Sequence, residues 1–142
     1  MERIRAVIDT NVLVSATLTP GGTCAQLLSH LHGGRLVPVL TVAIISEYLT
    51  VLERPAIARR SVSWREVLDL MHESGELVSD VRTSPALRDR GDQPFLDAAI
   101  HADCDLLVTG NGVDFTPLHG VPRPRLVTPR EALDLLDGRP PG

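Results

Sequence analysis

The residues of this chain best suited to chemistry are carboxylates that directly follow apolar runs. Val7-Ile8-Asp9-Thr10-Asn11 places an acid after a strand-like run and before a helix start. Leu106-Leu107-Val108-Thr109-Gly110-Asn111-Gly112-Val113-Asp114 repeats the scheme, with an apolar run, a polar turn and an acid. In open α/β sheets ligands bind beyond the carboxyl ends of the strands, and a following helix N-terminus offers donors to an anion. Two more acids lie on helical segments. Glu47 stands in Ile44-Ile45-Ser46-Glu47-Tyr48-Leu49, and Asp92 stands three residues before Phe95. Carboxylates gathered in one crevice would hold a hard divalent cation such as magnesium or manganese. Each acid also has a plainer reading. Asp9 can be an N-cap and Asp114 a cap for a turn beginning at Phe115, while Glu47 and Asp97 can be solvated helix residues. Spacing alone leaves these open, and Asp89 reads as a loop residue.

Alternating strand and helix signals must position these acids, a pattern that predicts a parallel α/β sheet. Strand one is expected over 4–9, followed by a helix from Thr10 to Ala16. Thr23 is expected to cap a helix to about Leu31, ahead of a second strand over 35–40. Thr41 should cap a helix running to Arg54, where Pro55 stops it. Ile45, Leu49 and Leu52 mark its buried face, with Glu47 at the edge beside Ile44 and Val51. Ser63 and Glu66 form a capping-box pattern, and residues 76–81 read as a weaker strand. Asp92 should cap a helix over 93–102, with Pro94 tolerated in its first turn. Leu106 to Val108 reads as a central parallel strand, 125–127 as the last strand and 129–136 as the closing helix. One domain over 1–137, with a fraying tail over 138–142, accounts for the whole chain.

Composition narrows the function further. Of 142 residues 43% are apolar but only 3% aromatic, so the core is built of aliphatic side chains and base stacking cannot dominate nucleic-acid binding. The net charge is −4, and all 14 basic residues are arginine. Genomic bias explains that usage without function, although arginine is also the side chain that grips phosphate with two parallel bonds. Cys24 and Cys104 are too far apart in sequence for a zinc motif and are expected as buried thiols in a reducing, cytoplasmic setting. His30 and His32 are expected at the surface. No segment has the length to cross a membrane, and the short apolar start does not fit a signal peptide.

Val-Ile-Asp-Thr-Asn-Val-Leu-Val-Ser-Ala, over 7–16, resembles the opening of the PIN-domain family, and the similarity extends to about Glu131. It is most similar to the bacterial branch of VapC-like ribonucleases, the toxin components of toxin–antitoxin systems. The resemblance implies a three-layer α/β/α fold with about five parallel strands in the order 3-2-1-4-5. It implies a metal-dependent endoribonuclease in which Asp9, Glu47, Asp92 and Asp114 are catalytic acids and ligands of Mg2+ or Mn2+. Asn11, Thr109, Asn111 and Asp97 fall into supporting roles. The Thr-Gly-Asn-Gly-Val-Asp segment matches the form with Asn111 after the Thr-Gly pair and the acid three residues later. An RNA substrate, a cognate antitoxin protein and a homodimer follow as expected partners. Arg54, seven residues beyond Glu47, and Arg88 and Arg90, beside Asp92, are the candidates to hold the RNA backbone.

Four acids from distant segments have a reason to converge on phosphodiester hydrolysis. That reaction needs a nucleophilic hydroxide and relief of charge on the phosphoryl oxygens, and a divalent metal supplies both. Rival phosphoryl-transfer families that also place Asp after a strand rely on a lysine, and the chain has none. No Gly-Lys-Ser/Thr of a P-loop is present. The remaining alternative is a PIN-fold RNA- or protein-binding module with weak or no nuclease activity.

Overall fold

The computed structural model describes residues 3–61, 63–82 and 85–138. Five strands, β1 (Ile4–Ile8), β2 (Leu36–Leu40), β3 (Glu76–Leu77), β4 (Leu106–Val108) and β5 (Arg125–Val127), form one sheet ordered β3-β2-β1-β4-β5. Every pairing is parallel. The α-helices among the described residues are α1 (Thr10–Leu18), α2 (Thr23–Ser29), α3 (Val42–Leu52), α4 (Pro55–Ala58), α5 (Trp64–Ser74), α6 (Gln93–His101) and α7 (Pro129–Asp137); α1 to α6 lie in the crossovers that parallel pairing demands, two 3-10 turns join β4 to β5, and α7 follows the last strand. The result is the three-layer α/β/α arrangement, with the strand order that the family resemblance implied.

β1 is the hinge of the topology. Its neighbours are β2 on one side and β4 on the other, with Ala6 in register with both Pro38 and Leu106. The chain winds outward in opposite directions from this pair, which leaves a crevice at the carboxyl ends of β1 and β4. Ala6, Val7, Ile8, Leu107 and Val108 are fully buried, as expected of strands covered on both faces.

Several local expectations change. Gly22, not Thr23, is the N-cap of α2, and Thr23 takes the first helical position. The strand expected over 76–81 keeps only two residues. Ser63 precedes α5 but makes no side-chain cap bond, so the Ser63/Glu66 capping box does not form. A complete box appears instead at α7, where Thr128 and Glu131 exchange both bonds and Gly138 closes the helix in the left-handed region at φ 72°. Pro55 does more than stop α3. Its fixed φ suits a first helical position, and it opens the single turn of α4. Cys104 is buried but Cys24 only partly so. His32 is exposed as expected, whereas His30 is half-buried with a ring nitrogen 3.0 Å from Asp137 Oδ1. The part of the expected tail from 139 onward lies outside the described residues.

Candidate active site

Asp9 ends β1 and caps α1. Its backbone is extended, at φ −65° and ψ 148°, and its Oδ1 accepts the Thr10 N–H at 2.8 Å. Its Oδ2 accepts the Thr109 hydroxyl at 2.6 Å. Capping and crevice-facing readings of Asp9 therefore both hold, because one carboxylate serves the helix and the neighbouring strand together. Burial pushes the Asp9 carboxyl above its usual range, the bonds from Thr109 and Thr10 oppose that rise, and the negative charges of Asp114 and Asp89 add to it. Thr109 has a second duty, since its Oγ1 accepts the Asn111 N–H at 3.0 Å and so shapes the turn after β4. The buried Thr10 hydroxyl has no hydrogen-bond partner among the described residues.

Glu47 reaches the same region because α3 is rotated relative to the expected face. Ile44, Tyr48 and Leu52 are its buried stripe, while Ile45 is partly covered and Leu49 is exposed. Glu47, adjacent to Ile44 across one turn, thus borders the buried side. Tyr48 is the residue that sequence reasoning missed. Fully buried, it donates its hydroxyl to the Ile8 carbonyl, one residue before Asp9. Its ring also meets Phe95 at a centroid distance of 5.9 Å. A single side chain therefore ties together β1, α3 and α6, the elements that carry Asp9, Glu47 and Asp92. A lone tyrosine in an aliphatic-rich sequence was the available signal, since a buried phenol must find a partner for its hydroxyl.

Asp92 precedes α6 in helical conformation, at φ −83° and ψ −20°, and makes no side-chain cap bond. Asp92 holds the expected N-cap position, but without a side-chain bond its carboxylate is left for the crevice. Desolvation raises its carboxyl from the ordinary 3.8 to about 6, with further contributions, in order, from Asp9, Asp89, Asp114 and Glu47. All four acids named from the sequence therefore share one electrostatic neighbourhood, and Asp89 joins them. Asp89 Oδ1 accepts the Gly91 N–H at 2.8 Å. A Cβ at Gly91 would stand 3.2 Å from Asp89 Oδ1 and 3.7 Å from Glu47 Oε1, so the two carboxylates flank this glycine and a side chain there would crowd Asp89. The loop assignment of Asp89 was correct as to backbone but missed that its side chain folds back toward the acids.

Asp114 lies inside a single 3-10 turn over 112–114, and the next turn, over 116–118, begins after Phe115 without any side-chain cap. The capping explanation for Asp114 therefore fails. Phe115, fully buried, anchors the segment and leaves Asp114 and Asn111 exposed at its surface. Asn11 sits half-exposed in the first turn of α1. Asp97 accepts from the Gln93 amide at 3.1 Å and lines a groove with Thr41, Asp80 and Arg82. Arg88 and Arg90 line a cleft together with Asp89 and Asp114. Arg54 is a correction: α3 ends at Leu52, so Arg54 is the N-cap of α4 and does not share a helix face with Glu47.

The donor set is chemically uniform, consisting of carboxylate and hydroxyl oxygens with no thiol or imidazole, which suits a hard cation. Among the described residues, no group of three or more His, Cys, Asp or Glu side chains is drawn tightly enough to hold a metal ion as it stands. Like-charged carboxylates repel in the absence of a counter-charge, and the exposed Asp114 and half-exposed Glu47 and Asp92 keep the freedom to turn inward.

Asp9, Glu47, Asp92 and Asp114 thus border one crevice at the β1–β4 switch point of a parallel sheet ordered 3-2-1-4-5. A family model for the PIN domain matches residues 5–112, and the chain belongs to the PIN-domain family. PIN domains are generally nucleases that work with divalent metal ions. The match spans Asp9, Glu47, Asp92 and Asn111 and ends two residues before Asp114. No curated protein matches the chain significantly.

Proposed function

We propose that this protein is a metal-dependent endoribonuclease in which Asp9, Glu47, Asp92 and Asp114 hold Mg2+ or Mn2+. One observation carries the reading: a chain of the PIN-domain family brings Asp9, Glu47, Asp92 and Asp114, with Asp89, from separate segments into one electrostatic neighbourhood, where desolvation and the other acids raise the Asp92 carboxyl. Such a concentration of carboxylates is costly for the fold alone and useful once a cation is present. A bound divalent ion would acidify water and offset charge on the phosphoryl oxygens. The chain's own residues do the positioning. Thr109 and the Thr10 N–H fix both oxygens of Asp9, Tyr48 holds α3 against β1, and Asn111 stands at the turn where a neutral amide can orient a neighbouring carboxylate or water. Arg88 and Arg90 are the cations best placed to meet the RNA backbone next to the acids.

The likeness of residues 7–16 to VapC-like sequences supports a narrower role, the toxin of a cytoplasmic toxin–antitoxin pair, acting as a homodimer and restrained by a cognate antitoxin. A small antitoxin-like reading frame beside this gene, and co-purification of its product, would test that role. The wide spacing of the acids favours a second reading, a PIN-fold RNA- or protein-binding module with weak or no nuclease activity. Calorimetric titration of Mn2+ separates the two: the nuclease reading requires saturable binding that Asp9→Asn weakens.

A further inference from the structure

The stretch from 78 to 92, between β3 and α6, holds no helix or strand among its described residues, yet Asp89 within it is placed beside Glu47. A carboxylate held next to another in metal-free protein needs a restraint, because repulsion alone would swing it outward. Gln93, the first residue of α6, supplies one. Its Oε1 accepts the Leu87 N–H at 2.7 Å, and its Nε2 donates to the Pro85 carbonyl at 3.2 Å and to Asp97 Oδ1 at 3.1 Å. These partners permit a single orientation of the amide. A backbone N–H only donates, while a carbonyl and a carboxylate only accept. Turning the amide over would therefore set like against like at all three contacts. Asp97, one turn along α6, orients the amide, and the amide holds the backbone of 85–87. Two residues beyond Leu87, Asp89 closes the turn into α6. Its carbonyl accepts the Asp92 N–H at 3.2 Å, and its Oδ1 accepts the Gly91 N–H at 2.8 Å.

We propose that Gln93 is a positioning residue of the acid crevice, acting through Asp89: by clamping the backbone of 85–87 it keeps the Asp89 carboxylate beside Glu47. The proposal rests on the metal-dependent reading and adds to it a neutral side chain that sets how many negative charges a cation meets. Gln93 is half-buried, and the Leu87 side chain keeps its own partly buried contact with the core, so loss of the amide frees the segment without removing a core residue.

Two double-mutant cycles on the full-length protein test it, each crossing Gln93→Leu with Asp89→Asn. The first is free of metal and uses thermal melts in EDTA at pH 8 and low ionic strength. Asp89→Asn keeps an acceptor for the Gly91 N–H but removes a charge from the crevice. It should raise the Tm by about 2 °C in the wild-type background and leave it unchanged in the Gln93→Leu background, where the carboxylate has already moved away. The second cycle is calorimetric titration of Mn2+. Gln93→Leu and Asp89→Asn should each weaken binding about tenfold, and the double variant no more than either alone. Gln93→Asn, polar but one methylene short, should match Gln93→Leu, which separates the lost bonds from lost polarity. Additive effects in either cycle, or wild-type Mn2+ affinity in folded Gln93→Leu, would overturn the proposal. A wild-type protein that binds no Mn2+ would remove the metal-dependent reading instead, and the EDTA cycle would still decide whether Gln93 places Asp89.

Discussion

Asp92→Asn should stabilise the metal-free protein, and the gain should depend on pH in a defined direction. The Asp92 carboxyl stands at about 6 against an ordinary 3.8 because it is desolvated and surrounded by other carboxylates. A raised folded-state value means that the native state binds the proton more tightly than the unfolded chain, so ionisation opposes folding. Below the ordinary value both states are protonated and there is no penalty. The penalty grows as pH rises from about 4 to about 6 and is constant above that. The full shift would correspond to ~3 kcal/mol at about 1.4 kcal/mol per pKa unit. Because the side chain is half-exposed, solvent screening reduces this to ~1–2 kcal/mol. For a domain of this size that is a rise in Tm of about 3–8 °C. Asn neither repels its neighbours nor sacrifices a cap, since Asp92 makes no side-chain cap bond. Circular-dichroism melts in EDTA at pH 8 and pH 4 read the effect, which should be present at the first and nearly absent at the second. Added Mg2+ should raise the wild-type Tm more than that of the mutant. An equal gain at both pH values, or a loss at pH 8, would refute the crowded-carboxylate account of this crevice.

Other outcomes follow from the same contacts. Asp114→Asn should weaken Mn2+ binding and cleavage strongly and Asn111→Ala less, about 10–100-fold, while Asn111→Asp combined with Asp114→Asn should regain part of the activity; calorimetry and cleavage rates decide this, and wild-type affinity in Asp114→Asn would leave a three-carboxylate site. Asp89→Asn should lower Mn2+ affinity measurably, and Gly91→Ala should do so by crowding the Asp89 carboxylate; unchanged titrations would return Asp89 to a purely structural loop role. Thr109→Val removes one of the two bonds to Asp9 and should cost ~1.5–3 kcal/mol of stability at neutral pH, read by urea denaturation, because a hydrogen bond to a charged group is lost. Tyr48→Phe should cost ~1–3 kcal/mol in the same assay by leaving the buried Ile8 carbonyl without the phenol donor.

Most of the strand positions were legible in the sequence because apolar runs in a two-sided sheet leave little room for another placement, whereas the sheet order came from the family resemblance. Asp9 stood out for a related reason, as it follows such a run, whereas Glu47 was named only through the family resemblance. The helix face of α3 was not. Ile44, Ile45, Tyr48, Leu49 and Leu52 are all apolar enough to bury, and the observed rotation is the one that lets Tyr48 reach the Ile8 carbonyl and pack against Phe95. The end of α3 was misplaced because Pro55 can stop one helix or start another, and the two-residue difference moved Arg54 off the face of Glu47. Asp89 could not be placed from spacing, since its approach to Glu47 depends on a turn that brings its side chain over Gly91. Asp114 illustrates the opposite case: its cap reading was reasonable in sequence, and only the anchoring of Phe115 in the core shows that the turn begins without it.

The central claim is that the acid crevice cuts RNA with a divalent cation, and matched cleavage reactions test it most directly. Purified wild-type protein and Asp9→Asn, shown by melting to be folded, are each incubated with single-stranded RNA in Mg2+ and in EDTA. The account predicts internal cleavage only by the wild-type protein and only with Mg2+, since removing one charge at Asp9 keeps its shape but weakens the metal site. Equal cleavage by Asp9→Asn, or cleavage by the wild type that persists in EDTA after thorough dialysis, would contradict it.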